Sequence, residues 1–113
     1  HPHTPLKNAP NGNFTLALKV MALTRLVLKD INIPATTAME TLNPKGRIIA
    51  LQSGANVVMP NVTTTEFRAK YEIYPGKICI NENPTQCRGC IEGKIKSIGR
   101  TIATDKGFHR RLV

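Results

Sequence analysis

Aromatic residues are scarce in this sequence, which has no Trp, two Tyr and three Phe among 113 residues. A module that stacks nucleic-acid bases on its surface uses more aromatic side chains, so we expect no nucleic-acid partner. No apolar run approaches the roughly 18 residues that a membrane-spanning helix requires, so we expect no membrane partner. Three cysteines are too few for a disulfide-rich miniature protein, and an odd number leaves one unpaired.

The chain begins with His1 and shows no charged segment followed by an apolar one, so we expect no signal peptide. Few cysteines without a leader favour a reducing cytoplasm. At 113 residues the chain is expected to form one domain at most. Its net charge is +9, and residues 77–113 hold eight of the 16 basic residues. This surplus can meet phosphate or an acidic partner, or remain a solvated surface.

Residues 14–29 have the pattern of an apolar helix, and Asn13 is a candidate N-cap. Polar residues interrupt only a narrow part of its circumference, so the helix is expected to pack on more than one neighbour. The positions predicted to face inward are Leu16, Val20, Leu23 and Val27, together with the residues beside them.

Two buried strands are predicted, over residues 31–39 and 55–59, with a helix from Asn43-Pro44 to Gly54 between them. Hydrophobic strands that alternate with helices are typical of parallel β/α units, so the predicted fold class is α/β. Parallel strands need neighbours on both sides. We therefore expect this pattern to be the closing part of a larger β/α barrel or sheet, and the chain to be a fragment.

Beyond residue 60 the expected elements are shorter. Thr63 and Glu66 match a capping box for a short helix that ends at Tyr71. After it we predict a turn over residues 74–76, an extended segment over 77–81, a loop over 87–90, a helix over about 92–102 and a tail from residue 105. The chain is accordingly divided into residues 1–76, the β/α units, and residues 77–113, an extension with the cysteines and a basic tail.

Cys79, Cys87 and Cys90 form a C-x7-C-x2-C pattern, the strongest chemical signal in the sequence. Two thiolates separated by two residues can bind one metal from a tight turn, and an upstream cysteine adds a third ligand. The alternatives are reduced thiols or one disulfide between Cys87 and Cys90. No fourth protein ligand is evident, although His109 is available. Three ligands favour an iron–sulfur cluster with one open iron over a closed zinc site.

A second group of candidate residues lies at the predicted strand ends. The reactive face of a β/α barrel is formed by the carboxyl ends of its strands, where Thr36, Thr37 and Met59 are expected. Hydroxyl groups can bind carboxylate or phosphate oxygens, and methionine can shape an adaptable pocket. Tyr71 and Tyr74, three residues apart, would share a helical face and could line a cofactor pocket. Ordinary strand composition and core packing are the alternatives.

Several segments taken together resemble a known family. They are residues 1–6 (HPHTPL), 32–39 (NIPATTAM), 42–47 (LNPKGR), 54–61 (GANVVMPN) and 74–79 (YPGKIC). They resemble the C-terminal third of the HydE family, radical S-adenosylmethionine enzymes of FeFe-hydrogenase maturation in the biotin synthase-like superfamily. The resemblance implies that the chain supplies the last β/α units of a (β/α)8 barrel of the TIM type, with parallel strands, and its C-terminal extension.

The resemblance also implies cofactors and site residues. Cys79, Cys87 and Cys90 match the family's accessory iron–sulfur site, which many members lack and which is regarded as dispensable for catalysis. In the whole protein, S-adenosylmethionine and a small-molecule substrate would occupy the barrel cavity. The matching cavity-lining positions are Thr36, Thr37, Met59, Tyr71 and Tyr74.

Departures from the family pattern limit what the chain can do. Glu40 stands where the family commonly has glycine, and Val62 where it commonly has an aromatic residue. The C-x3-C-x2-C motif that binds the catalytic cluster is absent from these 113 residues, so we expect the chain alone to be inactive. Its expected partners are the rest of the barrel and, through an open strand edge, a second copy. The alternative is a small autonomous module that binds zinc or iron through its cysteines and a partner through its basic tail.

Overall fold

The computed structural model describes residues 1–107 as a set of helices joined by irregular segments. The α-helices are α1 (Phe14–Val27), α2 (Thr37–Leu42), α3 (Gly46–Gln52), α4 (Thr65–Arg68) and α5 (Pro84–Ser97), and a 3-10 helix (Ala69–Tyr71) follows α4 directly. None of the helices in this part of the chain is long and apolar enough to cross a membrane. His109 and the basic residues Arg110 and Arg111 lie outside the described residues.

Helix α1 confirms the predicted helix and its cap, but the four residues named as its inward positions are wrong, and only residues beside them pack inward. The Asn13 Oδ1 atom accepts a hydrogen bond of 2.9 Å from the Leu16 amide, as an N-cap side chain does. The predicted inward positions are largely exposed: Leu16, Val20, Leu23 and Val27. The helix instead packs on the core through Phe14, Ala17, Leu18 and Met21. Since both sides are apolar, periodicity alone could not decide which of them has a partner within this chain.

The two predicted strands are reduced to one parallel bridge between Pro34 and Val57. The Ala35 amide donates to the Val57 carbonyl at 2.8 Å, and the Val57 amide donates to the Ile33 carbonyl at 3.2 Å. The bridge has the predicted parallel direction, but residues 1–107 contain no longer strand. Pro34 has no amide to donate, and within residues 1–107 neither segment has another strand beside it, so the ladder does not extend there.

The end of the first predicted strand is wrong because Met39 lies inside α2. The Thr36 hydroxyl caps this helix by accepting from the Met39 amide at 3.4 Å. Paired threonines are typical of strands, yet a threonine hydroxyl is also a good helix cap, and here the cap prevails.

The predicted start of the next helix at Asn43-Pro44 is also wrong, because Asn43 closes α2 and α3 begins at Gly46. The Asn43 side chain accepts from the Lys45 amide at 2.9 Å and so forms a turn between the two helices. Helices α2 and α3 approach closely here: a Cβ added to Gly46 would lie 1.9 Å from the carbonyl oxygen of Met39.

Gly54 follows α3 with a φ of 119°, a conformation that side chains rarely adopt, in agreement with its predicted role in ending the helix. The chain then returns to the core at Ala55. The buried core residues are Ile33, Ala35, Met39, Ala50, Leu51 and Ala55, and the side chains of Ile95 and Ile98 pack against them. The C-terminal segment is thus fixed on the same core as α2 and α3.

Three predictions beyond residue 60 are wrong. The Thr63 capping box does not form, since α4 follows Thr64 without a side-chain cap and the Thr63 amide donates instead to Asn61 Oδ1 at 3.0 Å. Residues 77–81 are not extended, because Cys79 has a φ of 62°. Residues 87–90 are not a loop but part of α5, which begins earlier than predicted and ends at Ser97. The turn at residues 74–76 and the helical segment ending at Tyr71 agree with the predictions.

Candidate metal centre

Cys79, Glu82 and Cys87 bring three metal-ligating atoms together. The two sulfur atoms and a carboxylate oxygen of Glu82 all lie within 4.8 Å of one another. Cys87 is 1% exposed, while Cys79 and Glu82 are half-buried. The cysteines are free thiols. Thiolate and carboxylate groups are both established ligands of zinc and iron, so the donor set fits a metal.

The first turn of α5 fixes one side of this group. The Asn83 side chain accepts from the Gln86 amide at 2.8 Å, and the Gln86 side chain accepts from the Asn83 amide at 3.0 Å. This reciprocal capping box, with Pro84 as the first helical residue, holds the start of the helix. The capping box therefore fixes the backbone positions of Glu82, just before the cap, and Cys87, one turn into the helix, relative to each other.

Arg68 fixes the other side of the group. Its side chain is 2% exposed and donates hydrogen bonds to three backbone carbonyls, those of Thr63 at 2.6 Å, Asn61 at 2.8 Å and Cys79 at 2.9 Å. The guanidinium thus links the loop before α4 to the loop that carries Cys79. Cys79 has a left-handed backbone conformation, which costs energy in a residue with a side chain, and the hydrogen bond from Arg68 to its carbonyl helps to hold it.

Each of the two sulfur atoms accepts an N–H hydrogen bond. The Asn61 amide donates to Cys87 Sγ at 3.3 Å, and Arg47 Nη2 donates to Cys79 Sγ at 3.4 Å. Hydrogen bonds of this kind tune the metal that a cysteine sulfur binds.

Burial raises the pKa of the Cys79 thiol above its ordinary value. The hydrogen bond and positive charge of Arg47 act against this, while negative charge at Cys87 and Glu82 raises the pKa further. A bound metal would act in the opposite direction, because metal binding requires the deprotonated thiolate.

A buried ionic network supports Arg47. Glu40, 8% exposed, accepts hydrogen bonds from Arg47 Nε and from Lys94 Nζ, so one carboxylate joins α2, α3 and α5. Burial acts to raise the pKa of Glu40, but the hydrogen bonds from Lys94 and Arg47 and their charges outweigh it and leave the pKa lowered. Burial likewise acts to lower the pKa of Arg47, and Glu40 reverses this. The network holds the Arg47 guanidinium beside Cys79.

Cys90, the third predicted metal ligand, is exposed on α5 and lies outside the group formed by the other two cysteines. Glu82 joins the group instead, and the sequence analysis missed it. The only sequence signal was its position immediately before an Asn-Pro helix start. That signal gains meaning only once α5 is known to begin at Pro84.

The predicted cavity residues are partly brought together. The hydroxyls of Thr37 and Tyr74 lie 3.0 Å apart in a hydrogen bond that ties the start of α2 to the 74–76 turn. An open cleft of about 580 Å³ lies beside this turn. Met59 and Tyr71 are 64% and 58% exposed. Thr36 is the α2 cap already described, and none of these contacts tests a role in ligand binding.

Comparison with known proteins identifies a relative along almost the whole chain. The chain is 52% identical over 112 residues, 99% of its length, to the FeFe hydrogenase maturase subunit HydE of Thermotoga maritima. The chain is similar to the C-terminal part of HydE. This confirms the resemblance inferred from the sequence motifs. The chain spans about a third, 32%, of the length of that HydE. No protein-family model matches the chain.

The similarity to HydE also bears on the predicted fold class. It supports a TIM-barrel-like parent fold, whereas the parallel strands themselves are not confirmed, because the described residues contain only the bridge between Pro34 and Val57. The division of the chain at residue 76 stays a prediction.

Proposed function

We propose that this chain is the C-terminal part of a radical S-adenosylmethionine enzyme of the HydE type, acting in hydrogenase maturation. The observation that carries the proposal is the 52% identity to HydE over 99% of the chain. The structure supports it through α1, whose exposed apolar face requires a cover, and through the Pro34–Val57 bridge, which has no neighbouring strand in residues 1–107. In the intact barrel the preceding β/α units would supply a cover for the apolar face of α1 and a strand beside the bridge.

The extension from residue 77 onward holds an accessory iron–sulfur site in this proposal, with Cys79, Cys87 and Cys90 as ligands. The proximity of the Cys79 and Cys87 sulfurs and the N–H hydrogen bond that each accepts support it. Cys90 follows Cys87 by three residues, so the two residues are neighbours about one turn apart on α5, although the Cys90 side chain is exposed. An iron–sulfur group bound there would supply one-electron redox chemistry.

Thr36, Thr37, Met59, Tyr71 and Tyr74 are proposed to line the cavity for S-adenosylmethionine and a small-molecule substrate. The support is the Thr37–Tyr74 hydrogen bond together with the open cleft that Tyr74 lines. The chain lacks the C-x3-C-x2-C motif, so the isolated chain is proposed to be inactive. A second copy is proposed to cover the apolar face of α1 when the rest of the barrel is absent.

Anaerobic reconstitution of the chain with ferrous iron and sulfide tests the accessory site. The expected result is bound iron and sulfide with visible absorption, both lost in the Cys79→Ser and Cys87→Ser variants. S-adenosylmethionine added to the reconstituted chain with a reductant should yield no 5′-deoxyadenosine, whereas the chain joined to the upstream HydE segment should yield it. Uptake of zinc without sulfide would instead support the autonomous metal-binding module, for which the Cys79–Glu82–Cys87 group is the favourable observation.

A further inference from the structure

We propose that Arg47 raises the reduction potential of the accessory iron–sulfur cluster through the N–H group that it directs at Cys79 Sγ. The inference deepens the proposed accessory site and rests on it for the presence of a cluster there. It requires only that Cys79 binds one iron of the cluster, whichever residues bind the other irons. Arg47 acts through Cys79 and is therefore a positioning residue, not a ligand.

Arg47 reaches the sulfur from inside the protein. It is 2% exposed, and its Nη2 atom donates to Cys79 Sγ at 3.4 Å. The sulfur of Cys87 accepts instead from the backbone amide of Asn61, at 3.3 Å. Most substitutions leave a backbone amide in place, whereas the donor to Cys79 belongs to one side chain. A change at Arg47 can therefore alter the surroundings of a ligand without replacing the ligand.

The guanidinium of Arg47 is shared between two acceptors. Its Nε atom donates to Glu40 and its Nη2 atom to Cys79, although arginine–carboxylate pairs frequently use two N–H groups on the carboxylate. Lys94 donates to the other oxygen of Glu40. The carboxylate is thus satisfied by Lys94 and one N–H of the arginine, and the planar guanidinium is held with a further N–H on the sulfur. The three charged side chains together carry one net positive charge.

The sign of the effect follows from the charge that reduction adds. A nearby positive charge and an N–H hydrogen bond to a ligand sulfur both stabilise the reduced form of a cluster, so both raise its reduction potential. Arg47 also borders a small apolar gap lined by Leu51, Val58 and Ile91. Water screens charge less in such surroundings than at the surface. Arg47 should therefore make the cluster easier to reduce.

Three variants of the chain test the proposal. Arg47→Met removes the charge and the donors at similar volume and leaves Glu40 paired with Lys94. Arg47→Lys keeps the charge but has one nitrogen in place of the two that make the contacts. The double variant, Glu40→Met with Arg47→Met, removes one charge of each sign. It leaves no buried charge unpaired at these two positions, so it serves if Arg47→Met does not fold.

Arg88→Met is the matched control. Arg88 also lies on α5 near the cysteines, but its side chain is 77% exposed and pairs with Glu92. The substitution makes the same chemical change as Arg47→Met in a place where water and salt screen the charge. An unspecific effect of lower net charge would therefore appear in the control as well.

Each variant is reconstituted anaerobically with ferrous iron and sulfide, and its folding is checked by circular dichroism. The cluster is then titrated electrochemically and followed by electron paramagnetic resonance. An electrode supplies one electron to each cluster through soluble mediators, and no bond is formed or broken. Because the chain lacks the C-x3-C-x2-C motif, the signal comes from the accessory site alone.

We expect Arg47→Met to lower the equilibrium constant for reduction about tenfold, which corresponds to about 59 mV for one electron. The double variant should show a decrease of the same size. Arg47→Lys should lower the constant by about threefold, since it retains the charge, and Arg88→Met should stay within about twofold of the unmodified chain.

Several results would overturn the proposal. One is a potential in Arg47→Met and in the double variant that stays within about twofold of the unmodified chain, even if the urea midpoint falls, because Arg47 would then only support the fold. An unchanged potential in Arg47→Lys would remove the role of the N–H group. A folded double variant without a cluster would assign Arg47 to cluster assembly instead.

The iron and sulfide content of the unmodified chain separates this inference from the proposed function. If the folded chain takes up no iron and sulfide, the accessory site fails and the role of Arg47 fails with it. If a cluster forms in the unmodified chain and its potential does not depend on residue 47, the accessory site stands and only the role of Arg47 is refuted.

Discussion

Replacement of Glu40 by glutamine removes the only negative charge from the network that it forms with Arg47 and Lys94. The side chains of Glu40 and Arg47 are 8% and 3% exposed, so neither can be rehydrated without opening the packing of α2 on α3. Lys94, whose side chain is 29% exposed, can turn toward water. The substitution therefore leaves one buried and uncompensated charge, that of Arg47.

Breaking a buried ion pair on one side typically costs about 3–5 kcal/mol. We expect the lower value, about 3 kcal/mol, because the glutamine oxygen can still accept one hydrogen bond from Arg47. With a urea dependence of about 1.5 kcal/mol per molar, this lowers the midpoint of unfolding by about 2 M. Equilibrium urea unfolding followed by circular dichroism measures the change.

Glu92→Gln is the control, because it makes the same chemical change in an exposed pair. Glu92 and Arg88 have side-chain exposures of 33% and 77% and lie four residues apart on α5. Such a pair contributes about 0.3–0.5 kcal/mol, so the control should unfold within about 0.3 M of the unmodified chain. A double variant, Glu40→Met with Arg47→Met, should recover most of the loss, since an apolar pair of similar volume needs no compensating charge. Equal losses in Glu40→Gln and Glu92→Gln would refute the reasoning.

Three further predictions concern the same helices. Gly46→Ala should destabilise the chain by about 1–3 kcal/mol in urea unfolding, because the new Cβ meets the Met39 carbonyl. Gly93→Ala has open space around the new Cβ and should stabilise the chain by about 0.5–1 kcal/mol. The opposite order of stabilities would contradict the packing of α2 on α3. Asn83→Ala should lower the free energy of unfolding by about 1 kcal/mol, because the α5 cap is lost, and should therefore lower the melting temperature. An unchanged melting temperature would show that the cap contributes nothing. Because folding lowers the pKa of Glu40, the stabilisation that this carboxylate contributes is present above about pH 4.3 and is lost as the pH falls through the lower folded pKa. Glu40→Gln should therefore flatten the pH dependence of the urea midpoint over this range. An unchanged slope would assign the pH dependence to other groups.

Local signals in the sequence identified features that depend on a few neighbouring residues. Asn13 starts α1 as predicted, and Gly54 adopts the left-handed conformation expected after a helix. The same kind of signal failed where two local interpretations compete. Thr36 and Thr37 are typical of a strand, but a threonine hydroxyl also caps a helix, and the structure shows α2 there.

Helix α5 shows a second limit of local prediction. The sequence predicts a loop over residues 87–90, whereas the structure has α5 there, although Gly89 and Gly93 both lower the intrinsic helix propensity. The Asn83 cap, Pro84 at the first position, the burial of Ile91 and the packing of Ile95 against the core outweigh the two glycines. Packing of an apolar face contributes more to helix stability than propensity does, and the sequence does not show which face will be covered.

The sequence by itself determined the cysteine spacing, the Asn13 cap of α1 and the similarity to HydE, because each is carried by neighbouring residues or by residue identity along the chain. Tertiary structure decided that Cys79 and Cys87 lie together with Glu82, that Arg47 reaches a sulfur, and that Glu40 pairs with a lysine 54 positions away. Such contacts depend on the path of the whole backbone. That path is set by burial of the small core between α2, α3 and α5, which no short segment of sequence encodes.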